Sequence, residues 1–279
     1  LQGLSDLAAG DVCPYGGVRS RKLRLAVKLA RSPNNVTMPR CLLRDEMPLG
    51  SRFYGGKRED LVEWKNNTLG PRSTSLTTIG VIYETVKLVL EDKRVPKLNI
   101  QERPDDADVE RYTDLTAEVW KTVLEGMDAY QAALADPKKI PAMRKDDADT
   151  SLLFKPAAQI ALFDGLLRAR AAGLTLEEAV ARANRLRIWS MGEGLWKGLI
   201  IKAGGTIDAA ADARERMALL VSYLIAADRL GGKEKASIWK RFTEARLDDS
   251  EDLPPPIAGN AYTAAEAKAF FDAQERKVA

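Results

Sequence analysis

Arg19, Arg21, Lys22, Arg24 and Lys28 follow the Gly16-Gly17 pair in the stretch GGVRSRKLRLAVK, and their chemistry is contact with an anion. A glycine turn feeding a basic helix offers backbone N–H groups and cations to a phosphate. Leu23, Ala26, Val27 and Ala30 recur at helical spacing, which puts the bases on the opposite face. From Asp11 to Arg44 eight bases stand against one acid, a balance of +7. From Glu91 to Glu118 nine acids stand against five bases, a balance of −4. A polyanion would be drawn to the first segment and repelled by the second. The same pattern also fits a solvated surface helix with no ligand.

A second set of bases, Arg52, Lys57, Arg58, Lys65 and Arg72, lies among Phe53, Tyr54 and Trp64 in a stretch broken by Pro33, Pro39, Pro48, Pro71 and the four glycines Gly50, Gly55, Gly56 and Gly70. Bases interleaved with aromatics suit nucleic acid through phosphate pairing and stacking. Aromatics near loops also anchor those loops to a core, and both readings stand here. Asn66, Asn67 and Thr68, ahead of Pro71 and Arg72, form a polar loop able to hydrogen-bond phosphate or base edges, or simply to turn.

Composition removes other chemistries. The chain has no histidine, so histidine general bases, Ser-His-Asp and Cys-His nucleophiles and histidine metal ligands are excluded. Cys13 and Cys41, the two cysteines, make no zinc set and are expected to stay reduced. GGKRED and GGKEKAS lack the spacing of a phosphate loop. Asp146, Asp147 and Asp149 lack the glycine and distal glutamate of a calcium loop, and Asp105, Asp106 and Asp108 read as solvated in the same way. No cofactor and no metal are expected, and an enzyme here would have to work with carboxylates, Lys, Arg or Tyr. No apolar run approaches the roughly 18 residues that span a bilayer. The opening LQGLSDLAAG lacks the basic flank of a signal peptide, so a cytoplasmic setting with no membrane partner is expected.

These residues need a scaffold, and the pattern supplies helices. Ser73 is placed as N-cap of a helix through Leu76, Ile79, Ile82, Tyr83, Val86 and Leu90. Asp106 or Asp108 opens a helix running through Trp120 and Tyr130 to Pro137. Pro156–Ala172 is a helix stopped by Gly173, and Thr175 with Glu178 forms a capping box for the next. Asp208 is placed before a helix over Ala209–Leu230 that Gly231 ends, and Ser237–Arg246 follows. Thr263 and Glu266 box the last helix, which buries Phe270 and Phe271. Trp189 and Trp196, seven residues apart among glycines and aliphatics, read first as core anchors and second as stacking platforms. The fold class expected is α+β and mostly helical. Residues 1–104 form a small basic α+β part and residues 105–279 a helical scaffold.

Three stretches together resemble the DndB and DGQHR-domain family of DNA phosphorothioate-modification proteins: WKNNTLGPRSTSL at Trp64–Leu76, SLLFKPAAQIALFDGLL at Ser151–Leu167, and RIWSMGEGLWKGLII at Arg187–Ile201 with the helix that follows to Leu230. YGGVRSRK at Tyr15–Lys22 resembles the glycine-arginine turn of ParB-like domains. The Asp-Gly-Gln-His-Arg motif that defines the family is absent, as a chain without histidine requires. The resemblance implies a DNA-binding protein of a prokaryotic DNA-modification or antiviral defence system, with transcription regulation of its own operon as one form of that role. Two alternatives stand beside it: a ParB-like nucleotidase or nuclease, and a non-enzymatic assembly subunit. The expected partners are DNA and other proteins of the same system, with homo-oligomer formation left open. The expected phosphate-gripping residues are Arg19, Arg21, Lys22, Arg24, Lys28, Arg52, Lys57, Arg58 and Arg72.

Overall fold

A computed structural model describes residues 61–63, 66–92 and 106–278. Among them the fold is mostly helical, with one two-stranded parallel sheet, in agreement with the expected class. The chain divides into two compact units. The first runs to Lys145 and takes in Phe154–Pro156; the second is Asp146–Leu153 with Ala157–Ala279.

In the first unit β1 (Val62–Glu63) pairs in parallel with β2 (Thr77–Thr78), Val62 opposite Thr77. Thr78 then caps α1 (Ile79–Glu91), its hydroxyl accepting from the Val81 N–H at 3.3 Å. The helix therefore starts at Ile79, not behind Ser73. Residues 73–76 stay outside the helix, and the carbonyls of Ser73 and Ser75 are claimed by a side chain described below. Ile79, Ile82 and Val86 are buried as their spacing requires, together with Val81 and Val89. Each such side chain contributes on the order of 2 kcal/mol on leaving water.

α2 (Asp106–Gly126) packs on α1 and buries Tyr112, Val119, Trp120, Val123 and Leu124. The single helix expected through to Pro137 is in fact two. Met127 takes an extended conformation, and α3 (Asp128–Ala135) begins after it. The Gln131 side-chain amide reaches back to the Leu124 carbonyl at 2.7 Å and closes the break. The Asp136 carboxylate accepts from the Lys138 N–H at 3.2 Å and starts the turn into α4 (Ile140–Met143).

In the second unit α5 (Pro156–Ala171) and α7 (Ala211–Ala226) are buried over most of their surfaces. Helices buried over most of their length belong at the centre of a core, with their charged residues left at the half-buried edge and the first turns. They approach closely at Gly165, where a Cβ would lie 2.8 Å from Val221 Cγ1 and 3.0 Å from the Ala218 carbonyl. Gly173, at φ +111°, ends the turn after α5 as expected. Thr175 caps α6 (Leu176–Arg185) by accepting from Glu178 N–H at 3.1 Å. Asp208 does not cap α7 directly: its carboxylate accepts from the Ala210 N–H at 3.0 Å, and the helix starts one residue later. Gly231 does not end α7. It opens α8 (Gly232–Arg246), donating its N–H to the Glu234 carboxylate at 2.8 Å. α9 (Ala264–Val278) packs on α8. Its capping box is complete, with Thr263 N–H to Glu266 at 2.8 Å and Glu266 N–H to the Thr263 hydroxyl at 3.2 Å. Phe270 and Phe271 are half-buried and meet edge to face at 5.7 Å.

Candidate nucleic-acid interface

The Pro71-containing loop between β1 and β2 is held from inside by one side chain. Arg144 follows α4 and is only 4% exposed. Its Nε donates to the Phe154 carbonyl at 3.1 Å, its Nη1 to Gly70 at 3.1 Å and Ser73 at 2.7 Å, and its Nη2 to Ser75. Backbone carbonyls thus satisfy most of the fork of donors a guanidinium presents. Burial among neutral groups lowers the Arg144 pKa to about 10, which leaves the side chain charged at neutral pH.

This pin fixes the inner edge of the loop and leaves the outer edge in water. Ser75 and Leu76 are buried, while Asn66, Asn67, Thr68, Pro71 and Arg72 are exposed. The Ser73 N–H closes the turn on the Gly70 carbonyl at 3.0 Å. The Asn66 N–H donates to Glu63 at 3.2 Å. Asn67 lies over the first turn of α1, since a Cβ on Gly80 would meet its Oδ1 at 3.0 Å. The loop therefore offers amides, a hydroxyl and one cation on a backbone whose shape is already set. Of the nine expected phosphate-gripping residues, Arg72 is placed here; Arg19, Arg21, Lys22, Arg24, Lys28, Arg52, Lys57 and Arg58 lie outside the described residues.

The tryptophan stretch of the second unit is also a built feature. Trp189 and Trp196 stack at 6.1 Å between centroids, 19° apart in plane. Trp189 Nε1 donates to the Ala183 carbonyl at 3.3 Å, and Trp196 Nε1 donates to that of Ile188. Both indoles are buried, so they anchor the core and present no face to a base. Arg246 closes the turn from outside, its Nη1 reaching the carbonyls of Gly194 at 2.9 Å and Leu195 at 3.3 Å while its Nε pairs with Glu251 at 2.6 Å. Arg216 reaches the Leu199 carbonyl at 3.3 Å and pairs with Asp212. Gly198, at φ +78°, is required there, because a Cβ would lie 2.4 Å from the Ala245 carbonyl.

Arg182 is the second deeply buried guanidinium. It pairs with Asp228 at 2.5 and 3.2 Å, with Glu178 at 2.7 Å, and donates to the Ile225 carbonyl at 2.8 Å. The Asp228 hydrogen bond is the main reason its pKa is raised, and the same bond holds the Asp228 carboxyl below its ordinary value. Arg185 and Arg187, beside it in sequence, are exposed.

Among the described residues no cluster of three or more His, Cys, Asp or Glu can hold a metal ion. Asp146, Asp147 and Asp149 are exposed, in line with a solvated loop. No described helix is long and apolar enough to cross a membrane. Sequence reasoning passed over Arg144 entirely, since no local pattern distinguishes a surface arginine from one that will gather distant carbonyls. No family model matches the chain, and no curated protein or solved structure matches it either.

Proposed function

We propose that the protein binds DNA through a phosphate-contacting surface, as a component of a prokaryotic DNA-modification or defence system. The observation that carries this reading is the loop pinned by Arg144. Four carbonyls of the first unit are drawn onto one buried guanidinium, and Arg72, Asn66, Asn67 and Thr68 are left exposed on a fixed backbone. A preorganised cation and amides suit phosphate contact because little ordering entropy remains to be lost on binding. The basic balance of +7 over Asp11–Arg44 supports the same partner, and so does the resemblance of Trp64–Leu76 to the DndB and DGQHR-domain family. The system, the operon-regulating role and the phosphorothioate link rest on that resemblance alone.

The test is fluorescence anisotropy with a labelled DNA duplex titrated across salt. Binding should weaken linearly in log salt. Arg72→Glu should make the slope shallower by about 1 or more, and the pair Arg21→Glu and Arg24→Glu should flatten it further. Flat anisotropy for the wild type at low salt would remove the DNA reading and favour an assembly subunit that binds only protein.

A further inference from the structure

We infer that the tryptophan turn of the second unit is an additional, sequence-independent contact for the phosphate backbone of duplex DNA. The inference rests on the DNA reading above but not on the Arg72 loop. Between Arg185 and Asp208 four bases, Arg185, Arg187, Lys197 and Lys202, stand against two acids, Glu193 and Asp208. All four bases are exposed. Lys202 has a carboxylate neighbour, Asp208 at 3.8 Å. Arg185, Arg187 and Lys197 make no ion pair among the described residues.

The fold gathers these bases. Trp189 Nε1 donates to Ala183 and so turns the chain back over the last turn of α6, where Arg185 sits. Trp196 Nε1 donates to Ile188, which sets the residue after Arg187 beside the residue before Lys197. The Gly198 N–H donates to the Ile201 carbonyl at 2.9 Å, so Lys197 and Lys202 flank one tight turn. That turn is held by Arg246, Arg216 and the stacked indoles, and its cations stand on fixed backbone rather than on a mobile loop.

The chemistry of the patch chooses among nucleic acids. Bases of a single strand are bound by stacking on exposed aromatic faces. Here both indoles are buried, leaving cations to meet phosphates. A surface of that kind reads charge density and carries no sequence information, and a duplex supplies the higher density.

The experiment compares the full-length wild type with the triple variant Arg185→Ala, Arg187→Ala, Lys197→Ala in the same salt titration. Random duplex, operon-promoter duplex and single-stranded DNA serve as probes. All three side chains are exposed, so the variant should melt with the wild type, and circular dichroism checks that. The expected result is a slope shallower by about 3, near 0.9 per lost phosphate contact, with equal loss on both duplexes. If the wild type binds and the triple variant keeps its slope, this patch is not a contact, while the Arg72 loop stands. A loss confined to single strands or to the promoter overturns the backbone assignment. A wild type that binds no DNA at low salt overturns both this inference and the reading it rests on.

Discussion

The loop at 66–75 and the tryptophan turn at 187–202 solve one problem in two ways. Both are irregular chain, and irregular chain leaves carbonyls without ladder partners. In the loop one guanidinium, Arg144, collects Gly70, Ser73 and Ser75 together with Phe154. In the turn the work is divided among Arg246, Arg216 and two stacked indoles. A single buried donor makes the backbone shape depend on one side chain, whereas a divided set tolerates the loss of a member. The largest expected effect is therefore at Arg144. Arg144→Met should cost the first unit about 4 kcal/mol, since the buried carbonyls of Ser75 and Phe154 left unpaired cost about 1–3 kcal/mol each, while water can reach the more exposed ones at Gly70 and Ser73. Arg144→Lys should recover only some of this, because an ammonium is a point donor and not a planar fork. Urea denaturation followed by tryptophan fluorescence measures both. A loss below about 1 kcal/mol for Arg144→Met would mean that the loop holds its shape without the pin.

The two buried arginines sharpen the contrast. Neutral carbonyls surround Arg144, and its pKa falls; carboxylates meet Arg182, and its pKa rises. Only the second arrangement adds acid sensitivity. The Asp228 carboxyl is held below its ordinary value by Arg182, so this pair's stabilisation is present above the unfolded carboxyl pKa, about 4, and is lost as pH falls through the lower folded value. Asp228→Asn should cost about 2 kcal/mol at pH 7, below the range for a fully buried pair, because the Asp228 side chain is 27% exposed and Glu178 still faces Arg182. It should also remove the part of the stability loss that falls below about pH 4. Equal acid slopes for wild type and variant in denaturant midpoints would show that other carboxylates carry the acid response.

How far the sequence discloses this arrangement follows from the range of each interaction. The helices are legible where their signals are local: Gly173 as a stop, Thr175 as a cap, and Thr263 with Glu266 as a box all act within four residues. Boundaries move where a distant group competes. Ser73 has the residue type of an N-cap, yet its carbonyl is taken by Arg144, far along the chain, and Thr78 caps instead. Gly231 has the type of a helix stop, but Glu234 claims its N–H for the next helix. The tryptophans are legible as anchors because glycines and aliphatics surround them. The arginines that hold the turn are not, since guanidinium reach to Gly194 or Leu199 depends on packing that no local window contains. At the candidate interface, residue type and exposure of Arg72 agree. The pin beneath it is a tertiary fact.

Arg246 tests the divided arrangement directly. It reaches carbonyls of Gly194 and Leu195, but Gly194 is exposed and water can replace the lost donor. Arg246→Met should therefore cost about 1 kcal/mol, well under the Arg144 effect, with the Glu251 pair and the contact over the Phe242 ring accounting for part of it. Thermal melting of the two variants side by side gives the ranking. Equal costs would end the distinction between a single pin and a divided one.

The smallest effect lies one residue further on. Leu247 caps α8 in the left-handed region, φ 57° and ψ 34°, with its side chain 92% exposed. A leucine there bears the Cβ crowding that glycine avoids, and it buries nothing in return. The Asp248 N–H still closes the cap on the Thr243 carbonyl at 3.2 Å. Leu247→Gly should relieve about 1 kcal/mol of strain and lose part of that to the freer unfolded chain, for a net gain of about 0.5 kcal/mol. The informative measurement is the double variant with Arg246→Met. Additive effects would show that clamp and cap act independently, so the turn is held by side chains alone. A coupling beyond about 0.5 kcal/mol would show that the left-handed cap aims Arg246 at its carbonyls, and the divided arrangement would then share a backbone element as well.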